Sequence, residues 1–156
     1  MLEISIPGYK KLTIKNLILD YNGTLACDGR LVSGVKERLN TLAEKLKIYV
    51  LTADTFGSVT SEVKELPLEL SILPRDNQDI NKLEYIEGLG KQCCAAIGNG
   101  RNDMLMLKGA ALGIAVFQGE GAAAQAMLSA DVVCTSIQDA LDLLINPMRL
   151  VATLRS

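Results

Sequence analysis

The sequence contains no histidine and no tryptophan, and only two phenylalanines and four prolines in 156 residues. The missing imidazole is the most informative absence. It removes the usual acid/base of neutral-pH catalysis and any triad built on it. Chemistry in this chain has to run on carboxylates, amides, hydroxyls, lysine and a bound metal. No apolar run approaches the length of about 20 residues that spans a bilayer, and the start "MLEISIPGYKK" lacks the apolar core of a signal peptide. A cytoplasmic protein without a membrane partner is the expectation. Positive charge is not in excess: the formal net charge is -2, which argues against a nucleic-acid surface, and the two arginines near the end, Arg149 and Arg155, do not supply one. The four cysteines, at 27, 93, 94 and 134, do not have the spacing of a disulfide framework or a zinc site. They are expected to be reduced thiols.

What is present is an ordinary globular balance, 49% hydrophobic and 22% charged. A chain of this length can bury a core as one domain, 1–156. Short continuous apolar runs recur: "NLILD", "IYVLT", "LELSIL", "CCAAIG", "LGIAV" and "DVVCT". Such runs suit strands buried on both faces. Helical patterns alternate with them. Val35, Leu39, Leu42 and Leu46 share one stripe, and Ile80, Leu83, Ile86 and Leu89 another, which ends on Gly88 and Gly90. "SVTSEVKEL", "NDMLMLKGA", "GAAAQAML" and "SIQDALDLL" complete the set. Alternation of this kind predicts an α/β fold: a three-layer, Rossmann-like arrangement with a mainly parallel central sheet. "LEISI" and "KLTI" add a small hairpin or edge strand, and "NPMRLVATLRS" a final helix packed on the sheet or on a partner subunit.

Ligands of such sheets bind outside the carboxyl ends of the strands. Asp20 ends "NLILD", Thr52 ends "IYVLT", and "GNGRND" follows "CCAAI"; Lys82 opens a predicted helix. "DYNGTL" at 20–25, "LTAD" at 51–54, Lys82 in "NKLEYIEGLG" and "IGNGRNDMLML" at 97–107 resemble, in order and spacing, the four motifs of the haloacid dehalogenase superfamily of aspartate-dependent phosphatases. Within it the chain is most similar to the phosphorylation domain of P-type ATPases, through the "AALGIAV" and "SADVV" segments that follow. The likeness runs from about residue 15 to 134.

The resemblance implies a set of roles. Asp20 is the nucleophile that receives the phosphoryl group, and Thr52 and Lys82 bind and neutralise it. Gly23, Thr24, Ala53, Asp54 and Asn102 surround the phosphate. A magnesium ion is held by Asp20, the main-chain carbonyl of Asn22, and Asn99 and Asp103. The expected substrate is a small phosphorylated molecule. Two positions depart from the pattern. Phosphatases carry an acid two residues after the nucleophile, where this chain has Asn22, and an acid in the fourth motif, where it has Asn99. An amide cannot donate or take the proton that general acid/base catalysis requires. The expectation is therefore a slow phosphatase or phosphotransferase, with Asp28 and Asp54 as the acids available nearby. The alternative is an impaired relative that binds phosphate or metal as a regulatory or scaffold protein. The intervals of 31 residues between Asp20 and Thr52, and 29 between Thr52 and Lys82, leave no room for a cap domain. "LACDGRLV" reads as a short hairpin flap turning at Asp28-Gly29, and an open mouth of this kind suggests a homo-oligomer.

Overall fold

A computed structural model describes residues 1–53 and 58–156. The chain opens with an antiparallel hairpin, β1 (Leu2–Ser5) and β2 (Lys11–Ile14). Its inward residues, Leu2, Ile4, Leu12 and Ile14, alternate with polar ones, as a sheet with one wet face requires. Next come β3 (Asn16–Asp20), the two-residue strands β4 (Ala26–Cys27) and β5 (Arg30–Leu31), α1 (Val35–Ala43), β6 (Lys47–Thr52), α2 (Val59–Val63) and β7 (Glu69–Ile72). The second half contains α3 (Gln78–Leu89), β8 (Cys94–Gly98), α4 (Met104–Gly109), β9 (Leu112–Val116), α5 (Ala124–Ser129), β10 (Val132–Cys134), α6 (Ile137–Ile145) and α7 (Pro147–Leu154).

Six strands form the central sheet in the order β10-β9-β8-β3-β6-β7, and every pairing in it is parallel. From β3 the chain moves outward through β6 to β7, then returns to lay β8 on the other side of β3. The strand order reverses at β3, so the crevice beyond its carboxyl end is the topological switch point at which such sheets bind ligands. Side-chain parity divides the core between the two faces of the sheet. Leu17, Leu19, Ile48, Val50, Ile97, Leu112 and Ile114 pack with α1, α6 and α7. Ile18, Tyr49, Leu51, Cys94, Ala96 and Ala115 pack with α3, α4 and α5. Every residue of β3, β8 and β9 is buried, which is why those segments read as unbroken apolar runs.

Two expectations are corrected. "LELSIL" and "DVVCT" are not buried on both faces: β7 and β10 are the two edges of the sheet, each with one neighbouring strand among the described residues, and Ile72 is 52% and Val133 44% exposed. The stripe on α3 is also rotated. Ile80 is 46% exposed, whereas Lys82 and Ile86 are buried. The helix has turned a charged residue inward because that residue finds charged partners there, as described below. The flap follows its pattern: Asp28 and Gly29 both take positive φ, 51° and 78°, as a type I′ hairpin turn requires. The final helix α7 packs on α6 and β1, with Arg149 and Arg155 exposed. Of the cysteines, Cys94 and Cys134 are buried and Cys27 and Cys93 half-buried, all as free thiols.

Candidate active site

β3 delivers Asp20 to the crevice, only 6% exposed. By strand parity Asp20 lies on the same side of the sheet as Ile18, the side covered by α3. The next residues turn at once: Thr24 and Ala26 donate backbone N–H bonds to the Tyr21 carbonyl at 3.2 and 3.0 Å, and Gly23 donates to Ala26 at 2.8 Å. Gly23 has φ 79°, and a Cβ built on it would stand 2.2 Å from the Asn99 side chain. No other residue fits there. The turn brings the Thr24 hydroxyl within 3.2 Å of Asp20 Oδ2 and 3.2 Å of Asn99 Oδ1.

From the opposite wall, α3 inserts Lys82. Its ammonium donates to Asp20 Oδ1 at 2.6 Å and to Asp103 Oδ1 at 2.7 Å. Lys82 is 1% exposed and Asp103 fully buried. Asp103 in turn accepts the backbone N–H groups of Asn99 (3.0 Å) and Gly100 (2.8 Å) on Oδ2. It thereby ties the loop after β8 to the Lys82 ammonium. Gly98 makes room for it, since a Cβ there would meet Asp103 at 2.5 Å. Asn99 donates from Nδ2 to the Gly121 carbonyl at 3.0 Å, which turns its carbonyl oxygen toward Thr24.

The triad holds two carboxylates and one ammonium in a buried volume. Burial and the Asp103 charge push the Asp20 carboxyl up to about 6, against the opposing pull of Lys82 and Thr24. Burial disfavours the charge on Lys82, but the attraction of Asp103 and Asp20 outweighs it and the ammonium is held above its ordinary range. One excess negative charge remains on the cluster, and this favours a bound cation.

The donor set fits such a cation. A single Thr24 proton cannot satisfy both Asp20 Oδ2 and Asn99 Oδ1, so an oxygen acceptor is left over. Among the described residues, the buried Asn22 Oδ1 has no hydrogen-bond partner. Carboxylate and amide oxygens with unused lone pairs are what hard divalent ions such as Mg²⁺ bind. Asp103 is placed differently from the other expected ligands: both of its oxygens are already engaged, by Lys82 and by two backbone amides.

Thr52 is buried at the tip of β6, one position beyond Leu51, which stands opposite Asp20 in the sheet. Ala53 follows, half-buried, and Asp54 lies outside the described residues. Asn102 donates to Gln78 Oε1 at 2.7 Å. Asp28 is exposed at the turn of the flap, where its N–H meets Glu120. A further residue was not legible in the sequence: Gln118, just beyond β9, donates to the carbonyls of Gly23 (3.2 Å) and Thr24 (2.6 Å) and accepts from Ile137 N (2.9 Å). It clamps the turn after Asp20 to the start of α6. Nothing in "AVFQG" announces that role, because all its partners are distant main-chain atoms.

No family model matches the sequence. Two uncharacterized proteins of Methanocaldococcus jannaschii are similar to parts of it. One is 49% identical over 83 residues, 51% of this chain and 89% of that protein. The other is 56% identical over 39 residues, 25% of this chain and 89% of that protein. Among solved structures, the cobalt-bound deoxy-D-mannose-octulosonate 8-phosphate phosphatase of Haemophilus influenzae superposes with a TM-score of 0.73 at 15% identity, over 92% of this chain and 94% of that one. The 3-deoxy-D-manno-octulosonate 8-phosphate phosphatase of Moraxella catarrhalis, in complex with magnesium, phosphate and KDO, gives 0.65 at 21% identity, over 91% and 94%. A zinc-transporting PIB-type ATPase gives 0.62 at 26% identity, over 79% of this chain and 20% of the pump.

Proposed function

The chain belongs to one family with the Methanocaldococcus jannaschii proteins, and we propose that it is a capless member of the haloacid dehalogenase superfamily, whose fold it shares, and a divalent-metal-dependent phosphatase or phosphotransferase acting through Asp20. The observation that carries this reading is the Asp20–Lys82–Asp103 cluster at the switch point of the sheet. In the proposed reaction an Asp20 oxygen attacks phosphorus, the bond to the leaving oxygen breaks, and an aspartyl phosphate forms. Water then attacks the phosphorus and releases inorganic phosphate. Lys82 offsets the repulsion between the carboxylate and the incoming phosphoryl oxygens. Thr52, Thr24 and the turn at Gly23 orient the group, with Ala53 and Asn102 beside it. Asp20, the Asn22 carbonyl and Asn99 would hold Mg²⁺, with Asp103 fixing the loop that carries Asn99. The ion would supply positive charge for the transferring group.

Asn22 limits the rate. Its amide cannot protonate a leaving alkoxide or activate water, so acyl and aryl phosphates, which leave without a proton, are the preferred substrates. Gln118 keeps the turn in place. The crevice has no cap, and a second copy of the chain would close it; a monomer by light scattering at micromolar concentration overturns that point. Among the described residues no helix is long and apolar enough to cross a membrane.

The test is incubation with Mg²⁺ and acetyl phosphate or p-nitrophenyl phosphate. Slow turnover and a mass increase of one phosphoryl group on Asp20 are expected. Asn22→Asp is expected to accelerate turnover on the order of 10²-fold, the lower end of what a placed acid/base supplies. Absence of both adduct and turnover over a broad phosphate panel defeats the proposal and leaves the binding or scaffold role, which the amides at 22 and 99 would then explain.

A further inference from the structure

We propose that the recess bounded by Arg75, Asn77, Gln78, Asp79, Arg101 and Asn102 binds a second oxyanion of the substrate. The chain would then favour short phosphorylated molecules that carry a further carboxylate or phosphate. The inference rests on the reading of Asp20 as the phosphoryl acceptor and specifies the molecule that brings the phosphate.

Position is the first argument. The recess, of about 410 Å³, is built by the same two elements that form the charged cluster. Lys82 and Asp103 meet at 2.7 Å; one step outward on each element, Gln78 and Asn102 meet at 2.7 Å. Beyond that rung stand Arg75 and Arg101. Gln78 precedes Lys82 by four residues, a rise of about 6 Å along α3. A molecule with its phosphate at Asp20 therefore needs only a short skeleton to place a second anion in the recess.

Charge is the second argument. Arg75 and Arg101 are exposed and have no carboxylate partner among the described residues. Asp79 is the single acid of the lining, and its carboxylate is turned to its own helix, accepting Ile80 N–H at 2.9 Å. Two guanidinium groups, whose planar forks match carboxylate and phosphate oxygens, thus line a polar recess, and among the described residues neither is paired with its one carboxylate. The start of α3 adds to the field: the Asn77 side chain makes no capping bond to the first turn. Preorganisation is the third argument. Gln78 donates to the Arg75 carbonyl at 3.1 Å and accepts from Asn102, which links the segments carrying both arginines before any ligand arrives.

Matched pairs of ligands, read as competitive inhibitors of p-nitrophenyl phosphate turnover because their alkoxides leave poorly without an acid at position 22, test the proposal: 3-phosphoglycerate against glycerol 3-phosphate for a carboxylate, and fructose 1,6-bisphosphate against fructose 6-phosphate for a second phosphate. The wild type is expected to bind the more anionic member of at least one pair on the order of tenfold more tightly, read as the inhibition constant, the scale of a charge-assisted hydrogen bond. The pair that shows the preference identifies the anion. In Arg75→Gln/Arg101→Gln the difference in inhibition constants is expected to collapse, with an unchanged circular-dichroism melting curve; if the double variant unfolds, Arg101→Gln alone is expected to lose part of it. A wild type with no preference in either pair, or a preference that survives the substitutions, overturns the subsite. If the wild type forms no adduct with acetyl phosphate, it is the reading of Asp20 that falls. Calorimetric binding of the same pairs then decides the subsite: tenfold tighter binding that depends on the arginines sustains it, and equal binding overturns it.

Discussion

The two faces of the central sheet are built from one set of strands but do different work. The face under α1, α6 and α7 is wholly aliphatic where it meets them, with Leu17, Leu19, Ile48, Val50, Ile97 and Ile114 filling the layer. The layer between the sheet and α3, α4 and α5 includes smaller residues, Ala96 and Ala115 from the strands and Ala110 and Ala126 from the helical side. There the backbones come close: a Cβ on Gly113 of β9 would stand 2.2 Å from the Leu107 carbonyl of α4. That thin layer is where the chain buries Lys82 against two carboxylates. Adjacent residues of β3 illustrate the division. Leu19 serves the aliphatic layer and Asp20 the charged one, because strand side chains alternate between faces. Burial of apolar area stabilises the first face without regard to pH, whereas the second combines an apolar layer with a buried charged cluster whose contribution depends on pH.

The largest break in this contrast is Lys82→Met. It leaves Asp20 and Asp103 buried without their shared cation, which costs about 3–5 kcal/mol. Leu141→Ala, at a fully buried position on α6, costs a similar amount, about 2–5 kcal/mol. Urea melts at several pH values separate the two. The Lys82→Met deficit is expected to shrink toward pH 5, as Asp20 accepts a proton and the repulsion disappears, while the Leu141→Ala deficit stays constant. A Lys82→Met deficit independent of pH would mean that the two carboxylates do not repel in the folded chain.

Asp20→Asn sharpens the comparison in the opposite direction. The native carboxyl takes its proton at about 6, raised by burial and by Asp103; in the unfolded chain it does so near its ordinary value of about 3.9. Between those values the folded state holds more protons than the unfolded one, so this group makes stability fall as pH rises. Above pH 6 the full cost is present; below the unfolded value it vanishes. Asp20→Asn removes that cost and leaves Lys82 paired with Asp103. It is expected to stabilise the metal-free protein at pH 7.5 on the order of 1–3 kcal/mol, and the gain should fade from pH 6 to pH 4. A substitution that instead destabilises at pH 7.5 would show that the Asp20–Lys82 bond outweighs the buried charge. Such a gain is the usual signature of a group kept for chemistry at the expense of stability.

How much of this was visible in the letters differs between the faces too. The strands were legible because a parallel sheet covered on both sides needs unbroken apolar runs, and β3, β6, β8 and β9 supply them. β7 looked the same but lies at the edge, since an apolar run does not say how many neighbours it will have. On α3 the hydrophobic stripe misplaced Ile80 because periodicity counts apolar residues alone. The helix is oriented by Lys82 reaching Asp20 and Asp103, from segments 62 and 21 residues away. The order of the motifs indicated which segments share a rim, but not that Asp103 would use both oxygens on Lys82 and the loop amides. Gln118 was invisible for a related reason: a side chain that binds main-chain atoms leaves no complementary residue type to look for.

The smallest expected effect concerns an ion pair on the aliphatic face. Arg38 of α1 meets Asp142 of α6 through two parallel bonds, Nε to Oδ1 at 2.8 Å and Nη2 to Oδ2 at 3.1 Å, and donates from Nη1 to the Gly34 carbonyl at 2.9 Å. In geometry it is as good a pair as Lys82 makes. It differs in location: the two side chains are 29% and 21% exposed, so water already solvates both charges and takes over when either partner is lost. Arg38→Met retains most of the aliphatic stem and is expected to cost about 0.5–1 kcal/mol, less at 1 M salt than at 0.1 M because the pair is partly screened. Thermal melts at the two salt concentrations measure both numbers. A loss of the size expected for Lys82→Met would show that the outer face also depends on matched charge, and the division between an aliphatic layer for stability and a charged layer for chemistry would not hold.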